Sequence, residues 1–227
     1  MLSLELVDPP LPADVQATVR VLDYHVQDLH AKWVIYCQLF GKSHERYEVL
    51  NKAAGGVFGR IDQAMLEDSQ LALCRLGDPA MARVKGGSVP NLTLRRLQEE
   101  LGAAGQMTLK DELEPLLVDF DSACEQMRDR RNKRLAHFDR AMMVAADAGD
   151  ITLTNASRRE VKTALVALGA VMNHVLVHFG KSPTAYELFV PPPGDGDALA
   201  VVLQQGLRYG QLVAEGAIPR DDIKEWH

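Results

Sequence analysis

The chain has 227 residues, of which 47% are hydrophobic and 25% are charged, and its formal net charge at pH 7 is −6. A chain of this length and composition can bury a sizeable core, which excludes a small fold that depends on metal ions or disulfide bonds. The three cysteines are odd in number, lie far apart and stand among apolar residues, so we expect reduced thiols and a cytoplasmic location. They are Cys37, Cys74 and Cys124.

The hydropathy of the chain predicts neither export nor membrane insertion. The N-terminus lacks the basic and apolar regions of a signal peptide. The longest apolar run, residues 164–172, is much shorter than the roughly 20 residues that a membrane-spanning helix needs.

Nearly every segment shows the 3.6-residue periodicity of helices, which predicts an all-α protein. In chain order, helices are predicted over about residues 14–30, 31–51, 57–76, 91–101, 108–143, 157–179 and 198–215. Gly55 and Gly56 predict a break, and together with Gly59 they are predicted to be hinge and close-packing residues. Loops are predicted over residues 77–90 and 144–155, the second with an extended piece at 151–153. Pro115 predicts either a kink or the first turn of its helix.

The connections between these helices set the predicted architecture. Short loops favour an antiparallel bundle of four or five long helices, which we place in one domain over residues 10–190. Residues 191–227 are predicted to be a Pro/Gly-rich linker and an extra C-terminal helix that packs on the same domain.

The helix predicted from residue 108 carries an apolar stripe at helical spacing. Its members point within about 40° of one direction on an ideal helix. They are Leu113, Leu117, Phe120, Cys124 and Met127. The stripe continues into Arg131, where the pattern requires an apolar side chain, so Arg131 needs a partner for its charge. On the same ideal helix His137 lies about 120° from Arg131.

Residues 128–140, which we call the basic island, are the most cationic part of this acidic chain. Six cations and two carboxylates occupy the thirteen positions R-D-R-R-N-K-R-L-A-H-F-D-R. A cationic patch of this kind favours an anion, most commonly phosphate. Like charges at i,i+4 weaken a helix, and a bound anion would relieve this repulsion.

The run R-N-K-R-L-A-H-F-D at residues 131–139 resembles the signature of the HEPN family (higher eukaryotes and prokaryotes nucleotide-binding). That signature is an arginine, usually followed by Asn, Asp or His, with a histidine after four to six intervening residues. Arg131, Asn132 and His137 match it with five between. Together with the run R-L-G-D-P at 75–79 and an aromatic second helix, the chain is similar in particular to the abortive-infection AbiU-like branch over roughly residues 10–190.

The resemblance implies a metal-independent endoribonuclease that needs no cofactor and acts as a homodimer, with Arg131 and His137 of both protomers in one cleft. His137 would transfer protons and Arg131 would bind phosphate. Asn132 would position a phosphate or His137 by hydrogen bonds. The cations implied to attract the RNA backbone are Arg128, Arg130, Lys133 and Arg134. The setting would be phage defence or a toxin system, and an antitoxin protein could be a partner.

One position departs from the family. In toxins that a nucleotidyltransferase regulates, the tyrosine two residues after the histidine is modified, and this chain has Asp139 there. We therefore do not expect that regulation.

Other interpretations stay open. The basic island could belong to a non-catalytic RNA- or nucleotide-binding module, or to a helical interaction scaffold with a solvated face. His174 and His178 stand at i,i+4 and could bind a metal, but core or interface positions are favoured because no third ligand has suitable spacing. Arg75 and Asp78 could border a cleft, although a local ion pair is favoured. The aromatic residues of the second helix are predicted core: Trp33, Tyr36, Phe40 and Tyr47.

Overall fold

The computed structural model describes residues 11–132, 157–188 and 194–218. Its helices are α1 (Ala13–Tyr36), α2 (His44–Leu76), α3 (Leu94–Ala103), α4 (Met107–Arg130), α5 (Arg158–His178) and α6 (Gly196–Ala214). Its strands are β1 (Met81–Val84) and β2 (Gly87–Pro90). A π-helical segment (Cys37–Gly41) and a 3-10 turn (Tyr186–Leu188) complete these elements. Across the described residues the chain is helical apart from one hairpin, which confirms the predicted all-α class.

The chain packs as two compact units. Unit 1 consists of Met1–His30 and Leu66–Phe189, and unit 2 consists of Ala31–Met65 and Val190–His227. In unit 1, α4 packs against both α3 and α5. The predicted domain organisation, a bundle over residues 10–190 with the C-terminal helix packed on the same domain, stays a prediction.

The apolar stripe of α4 forms part of the core of unit 1. All five of its predicted members are at most 2% exposed, which confirms the helical arithmetic up to Met127. They are joined in this core by Leu73 of α2 and by Leu168 and Met172 of α5. α4 begins at Met107, so Pro115 lies inside the helix and does not mark its first turn.

The predicted boundary between the first two helices is wrong. α1 continues to Tyr36 because nothing at residues 30–36 stops a helix, and the chain turns only after the π-helical segment. Ser43 then starts α2 by accepting a hydrogen bond from the backbone N–H of Arg46 at 3.2 Å.

The predicted break at Gly55 and Gly56 corresponds to a kink within α2. Ala54 has non-helical angles (φ −165°, ψ 64°), and helix resumes on both sides of it. The predicted interruption between two helices is therefore confirmed, with the irregular residue one position before Gly55. No atom lies within 4 Å of the place where a Cβ of Gly59 would stand, so this glycine is not a close-packing residue.

Residues 77–90, predicted as a loop, contain the β1–β2 hairpin. Its strands are antiparallel, with Met81 opposite Pro90 and Val84 opposite Gly87. Gly86 has φ +100°, a conformation that glycine adopts at no steric cost, and it provides the tight turn. Four-residue strands are too short to display a clear alternation of apolar and polar residues, which explains the wrong prediction.

Two helix starts agree with the sequence. Thr93 caps α3 by accepting a hydrogen bond from the N–H of Arg96. Ser157 and Glu160 form a capping box at the start of α5. At the other end of α4, Arg131 and Asn132 continue the helix with π-helical backbone. The predicted continuation to Met143, the loop at 144–155 and its extended piece lie outside the described residues.

Unit 2 contains the aromatic part of α1 and the helix α6. Trp33 stacks on Tyr36 with ring centroids 4.8 Å apart, and Tyr36 contacts Phe40 at 5.5 Å. These three rings are buried as predicted, whereas Tyr47 is 43% exposed and is not a core residue. α6 packs on the π-helical segment.

Of the described helices, α5 alone has a length and mean hydropathy compatible with crossing a membrane. Half of its apolar window is buried, and α4 covers part of that surface.

Candidate functional site

Arg128, Arg130 and Arg131 lie together at the C-terminal end of α4, within unit 1. We call these three residues the arginine cluster. A cation at this end of a helix is stabilised by the partial negative charge of the unpaired carbonyl groups. Each arginine also has its own carboxylate partner, and each side chain is at most a quarter exposed.

Asp78 provides the partner that Arg131 was predicted to need. The Arg131 Nη1 atom lies 2.7 Å from Oδ1 of Asp78, directly after the end of α2. This pairing corrects the interpretation of Asp78 as a local partner of Arg75 and places the R-L-G-D-P run against the end of α4. Arg131 also donates from Nε to Oδ1 of Asn132 at 3.2 Å. Two motif residues are therefore in contact, and Nη2 takes part in neither hydrogen bond.

Glu160 holds Arg130. Nη2 of Arg130 lies 2.6 Å from Oε2 of Glu160, and its Nε donates to Oε1 of the buried Gln70 at 3.1 Å. Burial acts to raise the pKa of the Glu160 carboxyl, but hydrogen bonds from Arg130 and from the N–H of Ser157 outweigh it and leave this pKa below its ordinary value. Arg130 thus connects the end of α4 to the start of α5 and to α2.

Arg128 is enclosed by Asp121 and Gly77. Its Nη2 donates to Oδ1 of Asp121 at 2.5 Å and to the backbone carbonyl of Gly77 at 3.1 Å. A Cβ at residue 77 would overlap Nη2 of Arg128 and would lie 3.1 Å from Cε1 of Phe120. A side chain at residue 77 would therefore force the end of the Arg128 side chain to move. Asp121 also pairs with Arg95 of α3 at 2.8 Å.

The remaining predicted site residues, Lys133, Arg134 and His137, lie outside the described residues, as does Asp139. The π-helical backbone at Arg131 and Asn132 changes the number of residues per turn, so α-helical angles cannot be carried across it. The predicted separation of about 120° between Arg131 and His137 consequently stays a prediction.

The arginine cluster has the chemistry of an anion site whose charge is largely balanced inside the chain. Three guanidinium groups meet three carboxylates, so an incoming phosphate would have to use donor atoms that these carboxylates leave available. The neighbouring thiols offer no nucleophile, because burial raises the pKa of Cys74 and raises that of Cys124 to about 12.

The two histidines of α5 are not core residues. His174 is 37% exposed, and its Nε2 lies 3.0 Å from Oε2 of Glu112, while Nε2 of the exposed His178 lies 3.4 Å from Oε1 of Gln106. His174 therefore faces the first half of α4 and His178 faces the residue before it, so the core alternative is wrong and the interface alternative stays a prediction. Among the residues that the structure describes, no group of three or more histidine, cysteine or acidic side chains is arranged to hold a metal ion.

Several partners of the cluster were missed from the sequence. Asp121 stands two helical turns before Arg128, so a helical projection could have found it. Glu160 and Gln70 come from other helices, 30 and 60 residues away from Arg130. Nothing in a single sequence indicates those pairings.

Comparison with known proteins gives one family match. The family model described as AbiU2, a HEPN family, matches residues 13–196. No curated protein and no solved structure shows significant similarity to the chain.

Proposed function

The chain belongs to the HEPN family, in its AbiU2 branch, and from this premise we propose that it is a metal-independent endoribonuclease that cleaves RNA as a homodimer. The observation that carries the proposal is the contact between the two motif residues Arg131 and Asn132 at the end of α4, with Asp78 fixing the guanidinium. We propose a cytoplasmic role in phage defence or in a toxin–antitoxin system, in which an antitoxin would be a further partner.

The proposed reaction needs groups that move protons and groups that stabilise negative charge. The 2′-oxygen of RNA attacks the adjacent phosphorus while the bond from phosphorus to the 5′-oxygen breaks. One His137 accepts the proton of the 2′-hydroxyl, and the His137 of the second protomer gives a proton to the departing 5′-oxygen. Histidine suits both steps because its pKa lies close to neutral pH.

Arg131 would stabilise the charge that develops on the phosphate oxygens. Its Nη1 and Nε are held by Asp78 and Asn132, so the planar guanidinium has a defined orientation. Nη2 would then donate to the phosphate without an entropic cost for ordering the side chain. In this proposal Asp78 is a positioning residue, since it acts on the substrate only through Arg131.

The other cations would contribute in two ways. Arg128 and Arg130 are engaged by Asp121 and Glu160, which suits a role in fixing the end of α4. Any contact that they make with the RNA backbone would be secondary to that role. Lys133 and Arg134 are proposed to attract the RNA backbone directly.

Cleavage in the presence of a chelator tests the proposal. Purified protein should cleave RNA in EDTA, and His137→Ala should lower the rate by about a hundredfold or more. His44→Ala, at an exposed histidine in unit 2, is the matched control and should cleave normally. Equal cleavage by the wild-type and His137→Ala proteins would rule out the assigned site. RNA binding without any cleavage would favour the non-catalytic module instead.

The dimer can be tested separately from the chemistry. Sedimentation equilibrium should give twice the 25.0 kDa mass of the chain. Specific activity should fall on dilution below the dissociation constant of the dimer, because each cleft is proposed to need residues from both protomers. A monomer with full specific activity would contradict the composite site.

A further inference from the structure

The β1–β2 hairpin belongs to a second basic stretch of the chain, separate from the basic island. Between Asp78 and Glu99 there is no carboxylate side chain, while four cations occur there. Two of them, Arg95 and Arg96, are neutralised by carboxylates of α3 and α4. The other two, Arg83 and Lys85, lie in the hairpin.

The hairpin is exposed on both faces. Every residue from Met81 to Pro90 except Ala82 is exposed, including Val84 at 48% and Val89 at 44%. Side chains alternate along a strand, so Arg83 shares one face with the opposite residue Ser88, and Val84 and Val89 share the other. Lys85 stands in the turn at the tip. An isolated two-stranded hairpin that buries neither face contributes little to a core.

The two hairpin cations have no carboxylate partner within the described part of the chain. Two hydrogen bonds between its own ends close the base of the hairpin. The N–H of Asn91 donates to the carbonyl of Ala80 at 2.8 Å, and its side-chain amide donates to the carbonyl of Pro79 at 2.9 Å. The exposed cations therefore stand on a hairpin whose two ends are hydrogen-bonded to each other.

The position of this base relates the hairpin to the arginine cluster. Pro79 follows Asp78, the carboxylate that holds Arg131. The seven Cα–Cα steps from Asp78 to Lys85 can span at most about 25 Å even when the chain is fully extended. The hairpin cations are therefore confined to the neighbourhood of the carboxylate that holds Arg131.

We propose that the β1–β2 hairpin is an RNA-docking arm, in which Arg83 and Lys85 bind backbone phosphates of the strand whose scissile phosphate lies at Arg131. This inference rests on the proposed nuclease function and names a binding surface for its substrate. Charge complementarity selects RNA as the occupant, since exposed cations without acidic neighbours are what a phosphate backbone requires. The apolar face at Val84 and Val89 is available to the ribose and base side of the strand.

The test measures RNA binding without cleavage. Binding of a short, labelled single-stranded RNA is followed by fluorescence anisotropy over a range of salt concentrations, in a His137→Ala background that leaves the RNA intact. Each phosphate contact with single-stranded nucleic acid contributes a slope of about 0.7 to the salt dependence, which is about fivefold in affinity near 0.1 M salt. The variant R83Q/K85Q should therefore bind about 25-fold more weakly, with a slope lower by about 1.4.

Matched substitutions show whether the loss of RNA affinity arises from the two hairpin cations. R83Q and K85Q alone should each weaken binding about fivefold, while R20Q, the same change of charge at an exposed residue of α1, should leave the affinity within about twofold. Unaltered thermal unfolding of R83Q/K85Q shows that the loss does not arise from misfolding.

Two results would overturn the proposal. One is an unchanged affinity and salt slope for R83Q/K85Q, which would indicate that the hairpin binds an acidic protein partner and not RNA. The other is a parent protein that does not bind RNA. Failure of the nuclease assignment gives a different pattern, in which R83Q/K85Q loses affinity although the wild-type protein does not cleave RNA in EDTA.

Discussion

The arginine cluster at the end of α4 and the cations of the β1–β2 hairpin represent two opposite uses of positive charge in one unit. Arg128, Arg130 and Arg131 are mostly buried, and each is paired with a carboxylate at 2.5–2.7 Å. Arg83 and Lys85 are exposed and have no such partner among the described residues. The sequence has its highest density of cations in the first region. The cations that are available to bind a ligand, however, lie in the second.

The physical reason is the cost of desolvation. A guanidinium that leaves water needs a compensating charge, so cations near a core acquire internal partners and fix the elements that carry them. A solvated cation gains little from a surface ion pair and remains free to bind phosphate. Three predictions of stability follow from this contrast.

Gly77→Ala should have the largest effect. The added Cβ displaces the Arg128 guanidinium from Asp121 and from the carbonyl of residue 77, and the loss of charge-assisted hydrogen bonds should lower the free energy of unfolding by about 2 kcal/mol. Urea denaturation measures this change.

The control is Gly59→Ala within α2, where a Cβ meets no atom within 4 Å. It should raise the free energy of unfolding by about 0.5–1 kcal/mol, since alanine is the better helix former. If both substitutions have the same effect, the close packing of Arg128 against residue 77 is of no energetic importance.

Glu160→Gln should have an intermediate effect. Glutamine keeps the capping box but removes the charge that holds Arg130, so we expect a loss of about 1 kcal/mol at pH 7. The pKa of Glu160 is lowered in the folded protein, so its contribution is present above the ordinary glutamate pKa and is lost as the pH falls through the lower folded value.

The difference between the wild-type protein and Glu160→Gln should accordingly shrink as the pH is lowered below the ordinary glutamate range. Urea midpoints at a series of pH values measure it. Glu125→Gln, at an exposed position of α4, is the control and should change stability by less than about 0.5 kcal/mol at every pH. A Glu160→Gln deficit that is independent of pH would show that the charge of Glu160 is not what stabilises the end of α4.

R83Q/K85Q should have the smallest effect on stability. The two side chains are exposed and form no ion pair with a described residue, so the melting temperature should stay within about 2 °C of the wild-type value. Differential scanning calorimetry measures it. A fall of many degrees would mean that the hairpin cations support the fold and would remove the contrast between the two regions.

The sequence predicted the parts of the site that follow from helical geometry. The buried stripe of α4 was correctly identified up to Met127, and the same periodicity showed that Arg131 must have a partner charge. The periodicity does not show which carboxylate pairs with Arg131. For Asp78 the sequence favours a local pair with Arg75, because residues close along the chain are the only neighbours that a single sequence displays.

The π-helical backbone at Arg131 and Asn132 limits such arithmetic further. Side-chain directions calculated for an ideal α-helix hold only while the number of residues per turn stays constant. The direction of His137 was calculated across this point, so it depends on an assumption that the structure does not support beyond Arg130.

The sequence by itself determined the all-α class, the core face of α4 and the family, because periodicity and short motifs are local properties of the chain. Only the tertiary structure decided which cations are neutralised, because Glu160, Gln70 and Asp78 reach the end of α4 through packing between helices that are distant in sequence. It also decided that residues 81–90 are an exposed hairpin. Burial and pairing depend on the environment of a charge, and that environment exists only after the chain has folded.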